Sequence, residues 1–132
     1  MSCRNNKSGK PIQPELINRA VAVVRPKAPF LAWTHSIPGL EMSDVTLDEL
    51  RSDEQTVFLL PDCSSLDELQ AQVDKIYKTI FEAELASWWL DPMDWPQKMT
   101  VKMFHEWFDV ELHSMVLDTT GEDFLAMDYQ LG

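Results

Sequence analysis

At 132 residues the chain is long enough for one domain and short for two, and a composition of 45% hydrophobic and 10% aromatic residues is globular rather than disordered. The net charge of −11 is uneven: residues 1–29 set six cations against Glu15 alone, for +5, and residues 30–132 carry −16. So acidic a body repels phosphate backbones and anionic lipid, which argues against a nucleic-acid or membrane-surface role and favours a protein partner with a basic surface; solubility alone is the competing explanation.

Residues 1–14 are polar and basic, with Gly9, Pro11 and Pro14, and read as a mobile basic tail ahead of a single domain over 15–132. A helical turn around Glu15–Arg19 is weakly signalled. Ala20–Val24 is a β-branched apolar run, and Phe30–Thr34 is a second short apolar run beyond Pro26 and Pro29, so the pair reads as a hairpin. Pro38-Gly39 marks a turn. Residues 43–52 have the pattern of a short helix, with Thr46 and Glu49 at capping-box spacing. Val57–Leu60 reads as a buried apolar strand ended by Pro61.

The clearest element is a helix over 65–89. Ser65 and Glu68 form a capping box, and Leu66, Leu69, Val73, Ile76, Ile80, Phe81 and Leu85 recur at spacings of three and four. Asp91-Pro92 breaks it. Asp94-Trp95-Pro96 opens another helix, with Met99, Met103, Phe104 and Trp107 on one face. Val110–Leu117 alternates with both sides partly apolar, the pattern of a central strand. Thr120-Gly121-Glu122-Asp123 is a turn, and residues 124–131 suit one docked helical turn. The fold expected is α+β: a small, mostly antiparallel sheet of about four strands, in the order β-β-α-β-α-α-β, with helices packed on one face.

Chemistry-bearing residues are sparse. Cys63 precedes the long helix, whose N-terminus would lower a thiol pKa, but Asp62 and Asp67 oppose a thiolate and no second cysteine stands at a redox spacing. With Cys3 in the tail, this is no disulfide framework. His35, His105 and His113 lack metal-ligand spacing; if they met Cys63 or carboxylates in space, a small enzyme or ligand-binding site would follow. Trp88, Trp89 and Trp95 bracket Asp91 and Asp94, which reads as an aromatic and acidic contact surface for a partner, or as corner packing between two helices. Phosphate-loop, dinucleotide, nucleophile-elbow and zinc signatures are absent, so no metal or cofactor is expected. The expectation is an acidic, cytoplasmic protein-interaction domain rather than an enzyme, with a small enzyme and an acidic nucleic-acid mimic as alternatives. With no apolar segment of spanning length or secretory pattern, a membrane or exported location is not indicated.

Overall fold

Alternation of small and β-branched side chains builds the middle of the fold. In the computed structural model, which describes residues 13–41, 44–53 and 56–127, β1 (Glu15–Leu16) precedes the eight-residue β2 (Arg19–Pro26). Ala20, Ala22, Val24 and Pro26 of β2 are buried while the residues between them are half-exposed, as the period-two geometry of a strand requires. β3 (Thr56–Pro61) and β4 (Phe108–His113) flank β2 on either side, both antiparallel. The registers place Ala22 opposite Phe58 and Leu112, and Val24 opposite Val110. The short β5 (Leu117–Asp118) pairs antiparallel with β1 in a separate two-stranded ribbon.

Among the described residues five α-helices complete the α+β fold: α1 (Ala28–Ser36), α2 (Leu47–Asp53), α3 (Leu66–Lys75), α4 (Tyr77–Ala86) and α5 (Val101–Trp107). Phe30–Thr34 is therefore helical and not the second arm of a hairpin. Pro29 sits in the first turn, where its missing N–H costs nothing. Phe30, Trp33, Thr34 and Ile37 fall at helical spacing, and all four are buried. The Pro38-Gly39 turn is present, with Gly39 at φ +91°.

The long helix is divided at Ile76 (φ −107°, ψ 15°), whose N–H is shared between the carbonyls of Gln72 and Val73. Its start is as expected: Ser65 Oγ accepts from Glu68 N, while the Glu68 carboxylate reaches back to Ser64 N and Oγ. The break gives the two halves different neighbours. α3 lies on β3 and β4, whereas α4 packs on α5. In α2, Glu49 N donates to Thr46 Oγ1 as its spacing predicts. The helix after residue 94 starts late. Residues 92–94 form a single 3-10 turn, and α5 begins after Thr100, whose hydroxyl accepts from Met103 N. The strand expected over Val110–Leu117 runs instead from Phe108 to His113 as β4, with Leu117 in β5, and it lies at an edge while β2 holds the centre. The expected turn over residues 124–131 is not helical through Met127, and its remainder lies outside the described residues, as does most of the basic tail.

The core gathers aromatic rings between the sheet and α1, α4 and α5. Phe108 lies 5.2 Å from Phe30, 5.3 Å from Phe81 and 5.4 Å from Phe104, centroid to centroid, and all four are essentially fully buried. Such tilted and edge-on pairs add to the stabilisation from area burial. Opposite them, the sheet's outer face leaves Val57 and Leu59 more than half exposed, 54% and 53%, beside Val23 and Val21 respectively.

Candidate functional site

The tryptophan and aspartate corner is assembled by its own hydrogen bonds. Asp91 Oδ1 accepts from Met93 N and starts the 3-10 turn that carries Asp94. The Asp94 carbonyl then accepts the Trp33 indole N–H at 2.9 Å, and its Oδ2 accepts that of Trp89 at 2.9 Å. The Trp89 carbonyl accepts the Trp95 indole N–H at 2.8 Å. Three indole donors are thus satisfied within the fold, bracing α1 against the segment between α4 and α5. Trp95 is buried, and Trp88 and Trp89 are half-buried against the core. What the corner shows to solvent is Leu90, Asp91, Pro92, Met93 and Asp94, with Met93 82% exposed.

Cys63 and the histidines are each engaged locally. Cys63 Sγ donates to the Pro61 carbonyl at 3.4 Å, two residues away. His105 Nε2 lies 2.7 Å from Asp74 Oδ1, joining α5 to α3. His113 Nε2 lies 2.7 Å from Glu111 Oε2 on the same edge strand. His35 is exposed in the last turn of α1. Among the described residues, no hydrogen bond or ion pair joins these groups to one another, and no cluster of three or more His, Cys, Asp or Glu side chains could hold a metal ion. His113 and then Arg25 hold the Glu111 carboxyl below its ordinary value of 4.5.

A concave surface lies elsewhere, at the end of the sheet where the β1–β5 ribbon meets the chain beyond β5. This groove of about 450 Å³ has an apolar floor of Ile17, Leu59 and Phe124 and carboxylates of Asp118, Glu122 and Asp123 in its wall. Arg19 contributes a guanidinium, turned back onto the carbonyl and side-chain oxygens of Asn18. Asp118 Oδ1 accepts from both the N–H and the hydroxyl of Thr120, and these bonds hold its carboxyl below the ordinary value of 3.8. It therefore stays ionised at neutral pH. Phe124 is 83% exposed, and Leu125 and Met127 beyond it are exposed as well. The surface combines apolar contact with fixed negative charge, which suits an extended segment bearing both apolar and cationic side chains.

Few of the groove residues stand out in the sequence. The acidic turn over 120–123 is visible there, but Leu59 reads as a buried strand residue, and only the fold brings it beside Phe124, which lies 65 positions later. Among the described residues no helix is long and apolar enough to cross a membrane. No protein-family model matches the chain, and no curated protein or solved structure matches it at a significant level.

Proposed function

We propose that the chain is a cytoplasmic protein-interaction domain that binds a basic, partly apolar segment of another protein in the groove between the β1–β5 ribbon and β3. The observation that carries this reading is the joining of an apolar floor (Ile17, Leu59, Phe124) to the carboxylates of Asp118 and Asp123 in one concavity. Charge supplies attraction and orientation, and apolar contact supplies affinity that survives salt. The −16 of residues 30–132 favours a cationic protein over a polyanion. The Leu90–Asp94 corner belongs to the same proposal as a second surface, through its exposed apolar and acidic side chains rather than its indoles.

Fluorescence anisotropy with a labelled peptide alternating lysine with leucine and phenylalanine tests it, against a counterpart carrying glutamate for lysine. The lysine peptide binds, weakens as salt is raised to about 0.5 M, and weakens further with Asp118→Asn and Asp123→Asn, which preserve side-chain shape. Equal binding of the two peptides, or none by either, overturns the reading. Met93→Ala separates the two surfaces: unchanged affinity assigns the peptide to the groove.

A further inference from the structure

We infer that the chain's own basic leader, residues 1–12, is an intramolecular ligand of this groove and competes there with the basic partner. This rests on the groove being a site for basic segments, and it adds a means of regulating it. The leader carries Arg4, Lys7 and Lys10 and no carboxylate, and Lys10 is followed by Pro11 and Ile12, so a cation stands next to apolar side chains. That is the chemistry complementary to a floor of Ile17, Leu59 and Phe124 walled by Asp118 and Asp123.

The point of attachment strengthens the case. Gln13, the first described residue, stands two positions before Glu15, and Glu15 is the direct partner of Asp118 across the β1–β5 ribbon. The leader thus joins the body at the rim of the groove. Lys10 lies seven residues from Ile17, within about 25 Å even of a fully extended chain. A segment tethered this closely has an effective concentration in the millimolar range, so a contact too weak to detect between separate molecules still fills the site for much of the time. The acidic body alone does not distinguish this groove from its other acidic faces. The tether and the apolar floor do.

A nitroxide on Cys3 of the full-length chain tests the inference, with Cys63→Ser leaving one thiol and keeping a donor for the Pro61 carbonyl. Paramagnetic broadening of the amide signals of residues 118–124 is compared with that in a chain also carrying Arg4→Glu, Lys7→Glu and Lys10→Glu. Broadening at low salt that falls on charge reversal, in about 0.5 M salt, or on adding the lysine peptide is the expected result. Broadening that is absent, or identical in the charge-reversed chain, overturns it. Peptide affinity separates the two readings. The charge-reversed leader should raise the affinity of the full-length chain about two- to tenfold. Unchanged affinity overturns competition and leaves the groove as a binding site, whereas a charge-reversed chain that binds no lysine peptide removes both.

Discussion

Asp94 accepts the Trp89 indole N–H on its carboxylate at 2.9 Å, five residues along the chain. Its carbonyl simultaneously takes the indole of Trp33 from α1. The pair ties the end of α4 to the turn before α5, and through Trp33 to the first helix. Removing one partner should therefore cost stability. Asp94→Ala and Trp89→Phe should each lower unfolding free energy by about 0.5–1.5 kcal/mol, read from the shift of the urea midpoint. The double variant should lose less than the sum, because both changes remove the same bond. Strict additivity would show that the bond contributes nothing.

Gly39 adopts φ +91°, a conformation that L side chains rarely take. A Cβ at this position would stand 3.7 Å from Trp89 Cη2, an ordinary contact, so space is not the obstacle. Gly39→Ala should cost about 1–2 kcal/mol through backbone strain alone, with no disturbance of Trp89 fluorescence. A neutral substitution would contradict the left-handed turn.

Glu111 titrates below 4.5 in the fold because His113 donates a hydrogen bond to it and the Arg25 charge lies nearby. A depressed carboxyl pKa stabilises the fold above the unfolded value and loses that contribution as pH falls through the folded value. The stability difference between the wild-type chain and Glu111→Gln should thus be present at neutral pH and disappear in acid, over the interval below 4.5. Carboxyl NMR should show the Glu111 midpoint moving back up in His113→Ala, and by less in Arg25→Ala. A midpoint unmoved in both variants would be inconsistent with these causes.

Phe81 touches Phe104, Trp107 and Phe108 with centroid separations of 5.3 to 6.2 Å and is fully buried. Phe81→Ala should cost about 3–5 kcal/mol, a large share of the about 5–15 kcal/mol that holds an ordinary domain folded. Phe81→Leu retains most of the apolar volume and should leave a folded chain with a lower midpoint. Ser65→Ala, which removes the side-chain cap of α3, should cost only about 1 kcal/mol. Chemical denaturation ranks the three, and a cap loss exceeding the core loss would overturn this ordering.

The parts of the fold legible in the sequence are those with a local cause. Ala20–Val24 lies within β2, Val57–Leu60 lies within β3, and the Ser65 cap starts α3 where its spacing predicts. Phe30–Thr34 reads as a strand and is a helix: a five-residue apolar run suits either, and only the wider spacing that includes Ile37 favours the helix. The division at Ile76 leaves no mark in the apolar pattern, since both halves keep the same stripe. The tryptophan and aspartate corner was legible as a cluster, but the destinations of its indole donors were not, because Trp33 lies 61 residues from Asp94.

The sequence by itself determined an α+β domain with one amphipathic helical segment, two apolar strands and an acidic body behind a basic leader. Those properties follow from periodicity, capping and charge, each of which acts over a few residues or sums over all of them. The tertiary structure decided which strand is central, that the indole donors of Trp33, Trp89 and Trp95 turn inward, and that Leu59 and Phe124 share a groove with Asp118. These are contacts between distant positions, and burial and hydrogen-bond satisfaction select them only once the whole chain has packed. The acidity met first as a bulk property is thereby localised. In the groove between the ribbon and β3, carboxylates meet apolar side chains in one concave surface.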